Sequence, residues 1–474
     1  MLATWLGSVL GGTRGGAASD VWQAGVPDVI DLGTVAPGES ATATLWLHNT
    51  GATPLTGVAI LATLVGGPHR HPPRLMTIPT VVPELPPGRP CAVEIHVTTE
   101  RATAEGDFVW ELTSEGAPNV VRVFLVVADS PAFEPAPTQF VSRLRVYASM
   151  VRRAMLEQIP TGEPANYLYQ LVREYPYRPG KHMRAAICLS ICEALGGSAT
   201  GALDIASSLE LLHNALLIHD DIQDESEERR GRPTLHMLHG VPLALNAGDM
   251  LSLMSLRPLI ENRRLIGDHL TLRIIEETER MAHECAEGQA LELGWRRDNT
   301  SCLEDEDYLE MVLKKTCWLA TIYPIRVGAL IGTQDSVNLD EFSPFGFLLG
   351  ATFQIQDDLL NLAADRSYGK ELNGDIWEGK RTLMLIRLFR EASVDERARL
   401  SNLMSLPREQ RSACDVTWIR QLMDKYDCVE YARQIAHGLA GAALQEFSEL
   451  SAGLPDSRDK RFLEEMVTWV IERT

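Results

Sequence analysis

The hydrophobic period of this chain changes once, and that single change limits the folds open to it. Up to about residue 129, apolar residues alternate with polar ones. In SATATLWLH, Ala41, Ala43, Leu45 and Leu47 take every second position, and VEIHV and NVVRVFLVV repeat the pattern. The turn signals APGE, NTGATP and LPPGRP separate these runs. Short strands punctuated in this way predict an antiparallel β-sandwich over residues 20–129, after a tail at 1–19. SPAFEPAPTQF, with its three prolines, predicts a linker over 130–140. From 141 to 474 the apolar faces recur at helical spacing, as in MRAAICLSICEALGG and YLEMVLKKTCWLATIYPIRVGALIG, and predict an all-α domain. Two domains also suit a chain of 474 residues, since single cores rarely grow past about 250–300.

Charge excludes one class of function. With 64 acidic against 44 basic residues, the net charge of -20 argues against a nucleic-acid partner, so any phosphate must be met by local cations. The eight cysteines form no CxxC pair and fit the reduced interior of a cytoplasmic protein; Cys188 and Cys192 read as small core residues. No apolar run approaches the ~18 residues of a membrane span. The start, MLATWLGSVLGG, lacks the basic residues of a secretory signal, and Leu2–Leu10 reads as a packed or frayed terminus.

The stretch LLHNALLIHDDIQDESEERRGRP ends an apolar helix in a run of acids. On that helix Asp220 and Asp224 are four apart, and Asp221 and Asp224 three apart, so their carboxylates share a face and repel. Mg²⁺ takes one or two carboxylates and keeps its other positions for water and phosphate, so DDxxD suits a Mg²⁺-bridged diphosphate. A solvated acidic helix end would look the same. FQIQDDLLN supplies a second polar stripe, with Gln354, Asp357, Asp358 and Asn361 at i, i+3, i+4 and i+7. Two acidic faces on buried helices call for cations between them. Lys181, Arg184, Arg229, Arg230, Lys315 with Thr316, Lys370 and Lys380 are spaced to meet phosphate. The acidic run Glu304–Asp307 fits a helix N-terminus.

Two resemblances follow. DLGTVAPGESATATLWLHNTGATPLTGV resembles the opening strands of immunoglobulin-like domains of the major-sperm-protein or Hydin type, which implies a docking or interaction module with a protein partner. From Val141 onward the chain resembles the trans-isoprenyl diphosphate synthases. The motifs that carry this are GKxxR (180–184), HxxxxxxDDxxDxxxxRRGxP (213–233), NxGD (246–249), GQ (288–289), KT (315–316), FQxxDD (353–358) and GK...GDxxEGK (369–380). The resemblance implies a dimeric bundle of about a dozen helices around a deep cavity, with Asp220, Asp221, Asp224 and Asp357 binding Mg²⁺, three ions with substrate bound. Gln354, Asp358 and Asn361 would support the second wall. Arg229, Lys315, Thr316, Lys370 and Lys380 would hold an allylic diphosphate, and Lys181, Arg184, His213 and Arg230 isopentenyl diphosphate. Asn361 stands where a last Asp would complete the motif; the same DDxxN occurs in geranylgeranyl diphosphate synthases of the fungal and animal type.

The implied reaction joins isopentenyl diphosphate to the allylic diphosphate and yields a linear trans-prenyl diphosphate. Residues upstream of Asp220 lie deeper by about 5.4 Å per turn, so Leu216, Ala215 and Leu212 are candidate floors of the chain-length cavity. Their small or aliphatic side chains favour the C20 product, geranylgeranyl diphosphate. A class I terpene cyclase on the same fold is one alternative, but it would have no use for the isopentenyl diphosphate residues. A non-catalytic subunit that modulates a partner synthase is another, though such a subunit could lose its aspartates.

Overall fold

The structure, a computed structural model, describes residues 29–47, 49, 53–68, 71–87, 90–114, 121–128, 138–178, 180–363 and 373–473. The expected tail at 1–19, most of the linker and Lys370 lie outside them. The chain divides into two compact units, Met1–Glu157 with Gly180–His182, and Gln158–Pro179 with Met183–Thr474.

Among its described residues the first unit holds nine strands: β1 (Val29–Val35), β2 (Ser40–Leu47), β3 (Leu55–Ala59), β4 (Leu61–Gly66), β5 (Arg74–Ile78), β6 (Val81–Leu85), β7 (Cys91–Thr98), β8 (Gly106–Thr113) and β9 (Val121–Val127). They form sheets ordered β1-β9-β8-β4, β2-β7-β5 and β3-β6. Alternation works as expected in β2, where Leu45 and Leu47 are fully buried and Trp46 between them is exposed. One pairing departs from the antiparallel expectation: β1 runs parallel to β9.

Strand β9 is buried on both faces, because two layers cover it. Val121, Val123, Leu125 and Val127 join the core with Leu45, Val93, Ile95 and Trp110. Arg122 and Phe124 point the other way and are also buried. That face belongs to the helix Gln139–Glu157, which packs on β1, β4, β8 and β9. Ser142 Oγ donates to Asp31 Oδ2 at 3.0 Å and Ser149 Oγ to the Asp107 carbonyl at 3.0 Å. Arg122 bonds Glu111 at 3.1 Å and lies 5.4 Å from the Tyr147 ring centre. The expected domain start at 141 therefore falls inside a helix that groups with the strands.

The second unit is helical, with one exception. Met183–Ala194 is buried nearly all round, as a helix apolar on every side must be, with Cys188 and Cys192 at zero exposure. The helix Ala199–Gln223 packs along Val241–Glu261, and Ser343–Ala363 packs between Cys428–Leu450 and a π-helical stretch, Leu313–Ile322. The acidic run opens the helix Asp305–Val312, where Asp307 Oδ2 accepts the Glu304 N–H at 2.8 Å. The helical bundle expected from the sequence is what the described residues form, and it carries one short two-stranded hairpin, Glu228–Arg229 with Arg232–Pro233. Its central residues, Arg230 (φ 54°) and Gly231 (φ 70°), both take positive φ, as the tightest hairpin turn requires.

Candidate active site

The first acidic wall ends a helix. Ser198 opens Ala199–Gln223 by accepting the Thr200 N–H, and Asp224 closes it by donating its own N–H to the Asp220 carbonyl at 2.8 Å. Asp220 and Asp224 then meet cations from distant elements. Lys315 Nζ lies 3.4 Å from Asp220 Oδ1 and 2.7 Å from Glu292. Lys380 Nζ lies 2.9 Å from Asp224 Oδ2 and 2.7 Å from Glu378, and Arg296 pairs with the other oxygen of Asp224. Burial disfavours both lysine charges, but Asp220 and Glu292 lift Lys315, and Asp224 and Glu378 lift Lys380, above the ordinary lysine value. Each therefore stays a cation.

Asp221 does not share that face, contrary to the expectation from its three-residue spacing to Asp224, because Tyr175 and Arg229 hold its carboxylate on the buried side. It is wholly buried; Tyr175 donates to its Oδ2, and Arg229 Nε donates to its Oδ1 at 2.9 Å. The hairpin sets this arrangement by folding Arg229 back over the helix end. Arg178, itself buried and 4.5 Å from the Tyr175 ring centre, donates to the carbonyls of Arg229 (2.8 Å) and Pro233 (2.7 Å) and fixes the hairpin in place. Asp221 thus orients Arg229; Asp220 is the more exposed acid of this wall, and Asp224 is buried between Lys380 and Arg296.

The second wall lies on Ser343–Ala363. Asp358 is buried, accepting from Tyr308 at 2.8 Å and from Gln354 at 2.7 Å; burial pushes its carboxyl up to about 6 against the pull of those bonds. Asn361 is buried too, its Oδ1 accepting the Asp375 N–H at 3.1 Å at the start of the helix Gly374–Glu378. Asp357 is the open acid of this wall, paired with Arg473 at 2.6 Å.

Lys315 and Thr316 tie the walls together. Lys315 reaches Asp220 on the first, while Thr316 Oγ1 donates to Gln354 Oε1 at 2.8 Å on the second. The long helix Arg263–Arg297 touches the backbone of this π-helical stretch at Gly288, where a Cβ would stand 2.2 Å from the Lys315 nitrogen. That close approach brings Gln289 to within 3.2 Å of Asp220, and Glu292 to Lys315.

A second cluster gathers around His213 of Ala199–Gln223, with Arg184 from Met183–Ala194 and Arg230 from the hairpin turn. Arg184, His213 and Arg230 share one buried acid, Glu210, and Arg184 also lies in the field of Asp357. Burial, with Arg184 nearby, lowers His213 to about 3, so its imidazole is neutral; burial also lowers both arginines despite Glu210. Among the described residues, Arg184 Nε and His213 Nδ1 are buried without a hydrogen-bond partner. Such a pocket is short of negative charge and suits a phosphate group.

Of the chain-length candidates, Ala215 is fully buried and Leu212 and Leu216 are half-buried. Lys181 is exposed and falls in Gly180–His182, which groups with the strand unit. Tyr175, Arg178, Glu210, Glu292, Arg296, Tyr308 and Arg473 are absent from the motif reading. Glu210 carried a signal, an acid in an apolar helix three residues before His213; the others gave none. The open acids are oxygen donors of the kind that hard divalent cations use. Among the described residues no three acidic, His or Cys side chains already converge on one point, because the acids are held apart by cations.

Comparison with known proteins agrees with this geometry. Residues 165–423 match the polyprenyl synthetase family. The geranylgeranyl pyrophosphate synthase of Geoglobus acetivorans is 31% identical over 334 residues, covering 70% of this chain and 97% of its own. The geranylfarnesyl diphosphate synthase of Natronomonas pharaonis is 27% identical, with 69% of this chain and 95% of its own covered. The crystal structure of geranylgeranyl pyrophosphate synthetase from Pyrococcus horikoshii superposes with a TM-score of 0.63 at 32% identity, over 71% of this chain and 99% of that one.

Proposed function

The chain belongs to the polyprenyl synthetase family and is a trans-isoprenyl diphosphate synthase, and on that premise we propose that it adds isopentenyl diphosphate to an allylic diphosphate to make geranylgeranyl diphosphate. The observation that carries this reading is a pair of anion-binding groups, one at the C-terminal end of Ala199–Gln223 and one around His213 on the same helix, each completed by side chains from other elements. The walls bridged by Lys315 and Thr316 hold one, and Arg184, His213 and Arg230 hold the other. A cyclase needs only the first.

In this reading Lys315, Thr316, Lys380 and Arg229, with Lys370, grip the allylic diphosphate, and Arg184, Arg230 and His213, with Lys181, grip isopentenyl diphosphate. Asp220, Asp224 and Asp357 would hold Mg²⁺, up to three ions, and bound Mg²⁺ would neutralise charge growing on the departing diphosphate. The protein cations share that task as the allylic C–O bond breaks. The double bond of isopentenyl diphosphate attacks the allylic carbon, and a diphosphate oxygen takes the proton released. Neutral His213 positions the second substrate by hydrogen bonding and adds no charge.

Two observations bear on product and assembly. The small Ala215 and the geranylfarnesyl-forming relative make C25 the second reading for chain length. Leu245, Leu253, Leu256 and Ile260 on one helix, and Leu272 and Ile275 on the next, are exposed and support a homodimer. Residues 29–157 offer no catalytic cluster among the described side chains and are assigned to docking or assembly. Eight unpaired cysteines favour the cytoplasm; among the described residues no helix is long and apolar enough to cross a membrane.

The test separates the pockets. Arg184→Ala is expected to raise KM for isopentenyl diphosphate by about tenfold or more while leaving that for the allylic primer within about twofold; Lys380→Ala should do the reverse. Equal effects on both substrates would contradict the two-pocket reading.

A further inference from the structure

Arg473 occupies the one acid of the second wall that faces the site, and nothing in the motifs points to it. Asp358 is closed off by Tyr308 and Gln354, and Asn361 by the Asp375 N–H, which leaves Asp357, 27% exposed, as the open carboxylate. Arg473 follows the helix Arg458–Glu472, far along the chain from the second motif. Its Nη2 donates to Asp357 Oδ1 at 2.6 Å and to the Phe353 carbonyl at 2.9 Å, and its Nε to the Val470 carbonyl at 3.2 Å. The guanidinium carbon lies 4.0 Å from the Phe353 ring centre, and the Arg473 carbonyl accepts from Gln356 at 3.3 Å. Only 9% of the side chain is exposed. The guanidinium is anchored at four points and the main chain at a fifth, unlike a loose surface arginine.

We propose that Arg473 is a resident counter-ion that keeps metal off Asp357 until a diphosphate arrives. The inference rests on the reading of Asp357 as a metal ligand. A divalent cation at Asp357 would lie beside a fixed positive charge, and the two repel strongly in a partly buried site. Metal arriving alone must therefore displace the guanidinium. Metal arriving with diphosphate brings enough negative charge to hold both cations, and Arg473 can leave Asp357 for the anion. The same logic runs through the first wall, where Lys315, Lys380 and Arg296 neutralise Asp220 and Asp224. Those side chains come from the helices and loops that build the pocket, whereas Arg473 is held by the end of a separate helix. Loading the second wall is thereby linked to the seating of Arg458–Glu472. Arg473 acts on the metal through Asp357, which makes it a positioning residue.

The test measures Mn²⁺ binding by electron paramagnetic resonance in the full chain, with Mn²⁺ alone and with Mn²⁺ plus inorganic diphosphate. Removing a competing ion pair raises apparent affinity by the inverse of the fraction of time the pair is open, so with the pair open about a tenth to a third of the time Arg473→Gln should bind Mn²⁺ alone about threefold to tenfold more tightly than the native protein. The gain should shrink when diphosphate is present. Arg473→Lys, which keeps the charge, should stay within about twofold of native. In the native protein, amide exchange over 458–473 should quicken when Mn²⁺ and diphosphate are added together, a readout that does not depend on any variant folding. Unchanged or weaker Mn²⁺ binding in Arg473→Gln, or unchanged exchange in the native protein, overturns the proposal. Asp357→Asn added to Arg473→Gln should abolish the gain. If the gain persists, or if the native protein binds no Mn²⁺ even with diphosphate, the assignment of Asp357 as a metal ligand has failed, and the proposal with it.

Discussion

Gly288→Ala is the smallest change that should separate the two walls from the lysine that joins them. A Cβ there would stand 2.2 Å from the Lys315 nitrogen, 2.7 Å from its Cα and 2.8 Å from its Cβ, where ordinary contact begins near 3.4 Å. The obstacle is backbone, so no side chain can swing aside. Arg263–Arg297 and the π-helical stretch must part by roughly 1 Å. Glu292 then loses its 2.7 Å bond to Lys315, and Gln289 its 3.2 Å bond to Asp220. Overpacking of this kind costs about 1–3 kcal/mol of stability. A misplacement of about 1 Å in a site that works by positioning can cost on the order of 100-fold in rate. The assay is incorporation of labelled isopentenyl diphosphate onto a fixed primer, read as kcat/KM and paired with urea unfolding. Gly294→Ala is the control: it lies on the same helix with open space around it and should be neutral or slightly stabilising. The reasoning fails if Gly288→Ala keeps kcat/KM within about threefold of native while Gly294→Ala does the same.

Three further outcomes are expected. Tyr175→Phe removes one donor from buried Asp221 and should cost about 1–3 kcal/mol in urea unfolding, with weakened primer binding as Arg229 loosens. Asp358 has its folded pKa raised to about 6, so the folded protein holds a proton there that the unfolded chain gives up near pH 4. Stability from this group is therefore present below about pH 4 and lost as pH rises through 6; Asp358→Asn should flatten the fall in unfolding free energy between those values, and an unchanged slope would contradict the assignment. In the strand unit, a chain ending at Glu157 should fold cooperatively by circular dichroism, whereas one ending at Thr138 should not, because loss of Gln139–Glu157 bares Val109 and Phe124.

What could be read from the sequence depended on whether the signal was local. Leu45 and Leu47 announced their strand through alternation, and Asp220, Asp224 and Gln354 announced the walls through spacing along single helices. Strand β9 misled in part because its run VRVFLVV is buried on both faces, which needs knowledge of the helix behind it. The hairpin at 228–233 was hidden because Arg229 and Arg230 read as phosphate binders, although Gly231 already permitted the turn. Asp221 belongs to the same motif, but the partners that bury it, Tyr175 and Arg229, come from outside the helix and spacing along it does not reveal them. Arg178, Arg296, Tyr308 and Arg473 could not be found, since each acts on an acid or carbonyl brought close only by the tertiary fold.

The central claim is that one chain joins two diphosphate substrates into a linear product. The direct measurement is to incubate the native protein with Mg²⁺ and dimethylallyl, geranyl or farnesyl diphosphate, with and without isopentenyl diphosphate, and to identify dephosphorylated products by mass spectrometry. The account expects a linear C20 alcohol that forms only when isopentenyl diphosphate is present. A cyclic hydrocarbon formed from the allylic substrate alone would contradict it.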